Sequence, residues 1–271
     1  MSNDKSSDSK NNEDEKAIES VKAPQMVTIP AGIFLMGTSD DQIAVMIENE
    51  TWAEEWRESD LFQVEQPQHK VNLPEFEIGL YPVSNLEYFS FIYNTGHRVP
   101  KYWTGFHYDS GEANFPVAGV SKSDAIEYCS WLSGILKKSY RLPTEAEWEK
   151  AARGIDGRVY PWGDNFDPWR CNTLESAKKA TTPNGSYSPS GDSVYGCADM
   201  VGNVMEWTSS FLAPYPFKET PDKEVNKTKC IVRGGAWYYS HKLARCSARE
   251  SVLPDYISPA LGFRLVLDKS H

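Results

Sequence analysis

The chain has 271 residues and a formal net charge of −10, from 38 acidic and 28 basic side chains. No stretch collects enough Lys and Arg to track a phosphate backbone, which argues against nucleic-acid binding. No apolar run is long enough to span a bilayer as a helix. Nine Trp, 14 Tyr and 11 Phe can build a large aromatic core, whereas 18 Gly and 17 Pro keep regular elements short and leave much ordered loop.

Residues 1–24 open with MSNDKSSDSKNNEDEK, hold almost nothing to bury, and are expected to form a disordered polar tail. They contain no hydrophobic signal core. The five cysteines (Cys129, Cys171, Cys197, Cys230, Cys246) are odd in number, scattered, and form no CxxC pair. Together these features point to a reducing, cytoplasmic location without zinc knuckles or redox pairs. The Asn-x-Ser/Thr sequons at Asn184 and Asn226 then read as incidental.

Residues 25–271 read as one domain. In 25–38, QMVTIPAGIFLMGT alternates around a Pro-Ala-Gly turn and predicts a hairpin. The 39–64 stretch predicts a helical acidic insertion. Ile43, Met46, Ile47, Trp52 and Trp56 share its apolar face, and Glu48, Glu50, Glu54, Glu55 and Glu58 line the others. An alternating strand follows over 69–83. Ser84 with Glu87 forms a capping box for a helix whose face is Leu86, Phe89, Ile92 and Tyr93. After an aromatic loop, Ser121 caps a second helix with Ala125, Tyr128, Cys129, Leu132, Ile135 and Leu136 at core spacing. In RLPTEAEWEKAARG, residues 141–154, Thr144 and Glu147 form another capping box and Gly154 stops the helix. Beyond 155 only loops and short strands are expected.

From RLPTEAEWEKAARG onward the chain resembles the formylglycine-generating enzyme (sulfatase-modifying factor) family. The matching motifs run in order: YPWGD (160–164), YGCADMVGNVMEWTSS (195–210), VRGGAW (232–237), RCSAR (245–249) and LGFRLV (261–266). MVTIPAGIFLMG and FEIGLYPVSNLEYFSF extend the likeness upstream, so that it covers roughly 26–268. The resemblance implies an α+β fold of low regular content. Its C-type-lectin-like core would pack two to four helices on a short-stranded antiparallel sheet, with VRGGAW and LGFRLV as core strands.

The family's best-known members oxidise a sulfatase cysteine to formylglycine, using copper(I) held by two cysteines in the loop after the RGG strand. A soft monovalent ion favours paired thiolates. Here Tyr239 falls at the first of those positions, and Ser240, His241 and Lys242 surround the second. The resemblance therefore implies that copper is not bound. Secreted members bridge the positions of Cys129 and Leu265, and those of Ala152 and Cys246; each pair here lacks one thiol, so free buried cysteines are expected. Iron-dependent branches draw histidines from an added helical domain. The five histidines here (His69, His97, His107, His241, His271) show no i, i+4 pair. Family calcium sites map to Asn172, Asn203 and Glu206, with Glu175 a weaker oxygen donor.

Two functions follow. One is a binding or accessory module whose C-terminal loop surface offers Trp237, Tyr238, Tyr239, His241, Lys242, Arg249 and Tyr256 to a protein or peptide ligand. Residue types of this kind anchor interfaces, and the same fold serves as a display platform in variable proteins. Arg245 and Arg249 also read as buried ion-pair residues. The other is a metal-dependent oxidoreductase or modifying enzyme using His241 with carboxylates from other loops.

Overall fold

The computed structural model describes residues 21–215 and 226–268. These contain five α-helices and ten strands, an α+β fold with long ordered connections. No helix among the described residues is long and apolar enough to cross a membrane.

The first four strands are β1 (Met26–Ile29), β2 (Gly32–Met36), β3 (His69–Leu73) and β4 (Phe76–Gly79). β1 pairs with β4, and β2 pairs with β3, both antiparallel. The hairpin expected within 25–38 is therefore replaced by two long strands lying against each other. Pro30 and Pro74 both fall in the gap between the pairs Ile29↔Phe76 and Gly32↔Leu73. Proline supplies no ladder N–H, so both strands break at the same point and the pair divides between two sheets.

The expected 39–64 helix is likewise divided. It comprises α1 (Asp40–Asn49), α2 (Thr51–Glu58) and a 3₁₀ turn at Leu61–Glu65. Glu50 interrupts it in an extended conformation, φ −134° and ψ 115°, while Ser39 and Gln42 close a capping box at its start. Ile43, Met46 and Trp52 are buried against Val159 and Tyr160. Gln42 donates to the Gly157 carbonyl at 2.6 Å, tying the insertion to the loop beyond it.

Helices α3 (Asn85–Thr95), α4 (Lys122–Leu136) and α5 (Glu145–Arg153) begin at Ser84, Ser121 and Thr144, each with a complete capping box. α3 and α4 meet through Tyr88 and Tyr128, stacked at 5.7 Å and 14°, with Phe263 edge-on to both rings. This aromatic stack forms the centre of the largest core cluster. Val21, within the expected polar tail, packs against that cluster.

The remaining strands are β5 (Ser139–Arg141), β6 (Met205–Leu212), β7 (Asn226–Arg233), β8 (Arg249–Val252), β9 (Leu261–Gly262) and β10 (Val266–Asp268). One sheet runs β1-β4-β10-β5 and another β8-β7-β6-β9. The β6–β9 pair is parallel, so the second sheet is mixed rather than wholly antiparallel. LGFRLV is thus shared between sheets. Between its halves, Arg264 is fully buried and forms a bidentate pair with Glu206, at 2.7 Å on each carboxylate oxygen. Its remaining N–H groups reach the Gly79 and Ala198 carbonyls, joining the two sheets.

Candidate functional site: the loop after the RGG strand

The loop begins where β7 ends. Gly234 and Gly235 adopt φ +99° and +66°, a region costly for a side chain. A Cβ on Gly235 would also lie 2.8 Å from the Leu243 carbonyl oxygen. Just before them, the buried Arg233 donates to the carbonyls of Cys246, Ser247 and Ala248 at 2.6–2.9 Å and pairs with Glu149. One guanidinium therefore clasps the returning leg of the loop to its departing strand. The Trp237 N–H donates to the Asn203 carbonyl, and the Leu174 N–H to that of Tyr239, so neighbouring segments also hold the loop.

Trp237, Tyr238 and Tyr239 form a chain of rings at 5.0 and 4.6 Å, half-buried on the outer side of the main core. The Tyr238 hydroxyl lies 2.8 Å from Ser258 Oγ. Burial raises the Tyr239 phenol above its ordinary range, and the Glu250 carboxylate adds to the shift. Glu250, on β8, is itself raised by burial. Tyr256 is 41% exposed and edges an open depression shared with Lys101 and Lys229. Glu250 and Ser258 are not apparent from the sequence motifs. The only sequence signal for Glu250 is its alternation with Arg249 along a strand.

His241 leaves this aromatic group and turns towards the insertion. Its Nδ1 lies 2.8 Å from Glu175 and its Nε2 3.5 Å from Glu50. The Trp52 indole N–H is shared between Glu50, at 3.0 Å, and His241 Nε2, at 3.2 Å. A donor facing Nε2 leaves the proton on Nδ1, where Glu175 accepts it. Phe166 stacks on the imidazole at 4.5 Å. The two ring nitrogens point to opposite sides, so Glu50 and Glu175 do not converge on one point. Among the described residues there is no group of three or more His, Cys, Asp or Glu arranged to hold a metal. Lys242 lies over Trp52 at 5.6 Å.

Arg249 does not join the surface. It is 7% exposed, and it forms a bidentate pair with Glu145 at 2.6 and 2.8 Å and donates to the Val64 and Ala213 carbonyls. A guanidinium desolvated to that degree needs such partners. Arg245 is likewise buried, against Glu65.

The expected calcium donors do not fit a cation. Asn172 and Asn203 are adjacent, Nδ2 to Oδ1 at 3.2 Å, but each amide is engaged with protein. Asn203 Oδ1 accepts from the Thr182 N–H and its Nδ2 donates to the Thr182 carbonyl; Asn172 Oδ1 accepts from Ser176. Glu206 is turned elsewhere, its charge answered by Arg264 and its Oε2 also bonded by the Trp148 indole at 2.8 Å. The loop holds one thiol, Cys246, in its returning leg, where a soft monovalent ion favours a pair. All five cysteines are buried and free. Desolvation pushes the thiols of Cys129, Cys171 and Cys246 up to about 12 and that of Cys197 to about 11. Asn184 is also buried, donating from Nδ2 to the Pro82 carbonyl, so its sequon is shielded in the folded chain.

Residues 11–269 match the family described as the sulfatase-modifying factor enzyme 1-like domain. Mouse formylglycine-generating enzyme is 30% identical over 305 residues, covering 90% of this chain and 75% of that protein. Mouse inactive C-alpha-formylglycine-generating enzyme 2 is 28% identical over 297, covering 89% and 85%. The structure of PvdO from Pseudomonas aeruginosa superposes with a TM-score of 0.71 at 24% identity, covering 93% of this chain and 97% of that one, which shows a common fold. The extent of the family match, with a relative at 30% identity spanning most of both chains, shows that the protein belongs to the sulfatase-modifying factor, or formylglycine-generating enzyme, family.

Proposed function

We propose that the protein is a sulfatase-modifying-factor-like domain without copper-dependent formylglycine synthesis, acting as a binding or accessory module through its C-terminal loop. The observation that carries this reading is the content of the loop itself. Where the family chemistry wants two thiolates, Tyr239 is built into an aromatic row and His241 is committed to Glu175 and Trp52. A rigidly held loop presenting Trp237, Tyr238, Tyr239 and Tyr256 suits recognition, because large aromatic rings gain contact area at little entropic cost. Lys101 and Lys229 beside Tyr256, against the one carboxylate of Asp255, leave the depression net positive and favour a polypeptide ligand that carries an acidic side chain. A family relative named as inactive is consistent with a scaffold retained without the oxidase reaction. The oxidoreductase alternative gains nothing from the Glu175–His241–Glu50 bridge, whose carboxylates sit on opposite sides of the ring.

Two measurements test the proposal. Purified protein is given copper(I), reductant, oxygen and a sulfatase-type cysteine peptide, and the peptide mass is read for conversion of thiol to aldehyde. The thiol is expected to survive; aldehyde formation overturns the reading. Selection of displayed peptides on the wild-type chain should then yield acidic binders. Their affinity should fall by about tenfold or more in Tyr239→Ala or Tyr256→Ala, as expected for aromatic anchors.

A further inference from the structure

A cavity of about 310 Å³ lies where residues 21–25 pass the start of α3, and none of its lining residues belongs to the loop after the RGG strand. We propose that it is a binding site for a free amino acid with an apolar side chain, taken up as the zwitterion. Glu87 and Lys22 both line the cavity, and among the described residues neither forms an ion pair with the other or with anything else. One unpaired carboxylate and one unpaired ammonium on the same wall complement the two charged ends of an α-amino acid. Tyr81, Leu86, Tyr128 and Leu265 supply apolar surface for its side chain.

Two observations point to a ligand. The first is Asn184, which lines the cavity and is only 9% exposed. Its N–H donates to the Asn114 carbonyl at 2.9 Å, its carbonyl accepts from Asn114 Nδ2 at 3.3 Å, and its Nδ2 donates to the Pro82 carbonyl at 2.9 Å. Only Oδ1 is left, buried and without a donor. Reversing the amide gives no relief, because Oδ1 would then face the Pro82 carbonyl. A buried acceptor in this state is costly and calls for a partner, and the ammonium of an amino acid supplies the missing N–H. The second is Glu87. Its capping-box bonds, from the Ser84 N–H and hydroxyl at 2.7 Å each, both fall on Oε2. Burial raises its carboxyl above the ordinary range and the Ser84 bonds only partly oppose this, so the group still lacks a counter-charge. Lys22 is exposed and free to meet the ligand carboxylate at the mouth. The volume is at the small end for ligand pockets, which suits a side chain the size of leucine or phenylalanine.

The test titrates the full chain with L-leucine and with L-phenylalanine, and follows binding by calorimetry and ligand-observed NMR. The N-acetyl derivative of each lacks the ammonium, and the amide of each lacks the carboxylate. At least one amino acid should bind with a dissociation constant of about 1 mM or tighter. Its N-acetyl derivative should bind at least about tenfold more weakly and its amide about threefold more weakly. Glu87→Gln should weaken the amino acid by about tenfold with the helix start intact, because a capping box accepts Gln at this position. Lys22→Gln should weaken it by about threefold. Asn184→Ala should also weaken it by about tenfold, with its unfolding midpoint read alongside because the bond to Pro82 is lost. Three results overturn the proposal: no binding of either amino acid at about 10 mM, an N-acetyl derivative that binds as tightly as its parent, or binding indifferent to both Glu87→Gln and Lys22→Gln.

Discussion

Replacing Glu65 by Gln should be among the most destabilising single changes in this chain. Glu65 is 1% exposed and Arg245 0%. Their bidentate contact is supported by Thr38 Oγ1 at 2.9 Å and Ser247 Oγ at 3.0 Å. The pair fastens the 3₁₀ turn after α2 to the returning leg of the C-terminal loop. Glutamine keeps the shape but removes the charge and turns an NH₂ towards a guanidinium that is itself donor-only. A buried charge left without its partner costs about 3–5 kcal/mol. With a urea slope of about 3 kcal/mol per molar for a chain of this size, the midpoint should fall by roughly 1–1.7 M. The double variant Glu65→Leu/Arg245→Met should recover to within about 1 kcal/mol of wild type, because two apolar groups remove both desolvation costs. The Met side chain also keeps contact with the Trp52, Trp56 and Phe62 rings. Burial alone would raise the Glu65 carboxyl. The Arg245 charge and the hydrogen bonds from Arg245, Thr38 and Ser247 outweigh it and hold the group below its ordinary 4.5. Its contribution is therefore complete above pH 4.5 and is lost as pH falls through the lower folded value. The gap between wild type and Glu65→Gln should accordingly narrow in acid. A midpoint shift under about 0.3 M, or a double variant no better than the single one, would refute this account.

Three further outcomes are expected. Ellman's reagent at pH 8 should detect less than about one thiol in the native protein and all five after denaturation, since each cysteine is buried and free. Asp124 is held down to about 2: burial opposes this, but hydrogen bonds from Arg98, Ser121 and His97 prevail. Its stabilising effect is present above its ordinary 3.8 and is lost as pH falls towards 2. Arg98→Gln should thus move acid unfolding, followed by circular dichroism, to higher pH while costing less than about 1 kcal/mol at neutrality, because Arg98 is largely exposed. Gly202→Ala should cost roughly 2–3 kcal/mol in thermal unfolding, since φ is +77° and the new Cβ would meet the Asn172 carbonyl oxygen at 2.5 Å. Gly96→Ala, at φ +70° with open space around it, should cost only about 1 kcal/mol.

Helix starts were legible because their signal is local. Ser84 with Glu87 and Thr144 with Glu147 sit three residues apart in sequence and close the same capping boxes in space. Strand partners were not legible in this way. The alternation in 25–38 identifies extended chain but does not say that Val27 pairs with Ile78 rather than folding back on 32–36. The break at Glu50 likewise leaves no trace in apolar spacing, since Ile43, Met46 and Trp52 remain on the buried side across it. At the site, the aromatic residues after the RGG strand were readable from the sequence. The partners of those residues come from distant segments. Glu50 and Glu175 reach His241 from 191 and 66 residues away, distances over which residue type carries no pairing information. Arg249 has the composition of an interface anchor, and only the proximity of Glu145 shows that it faces inward.

The order β1-β4-β10-β5 has a consequence for biosynthesis. β10 occupies an interior position in its sheet, between β4 and β5, yet its residues lie about 190 positions after β4 in the chain. While a ribosome is making the intervening loops, β4 and β5 each present an unsatisfied edge of N–H and C=O groups, the kind of edge that recruits other chains. Arg264, the ion-pair partner of Glu206, is made in the same late stretch. The sheet is therefore completed by one of its last-made strands, and nascent chains halted before Val266 should depend on a holding chaperone and be early targets for degradation.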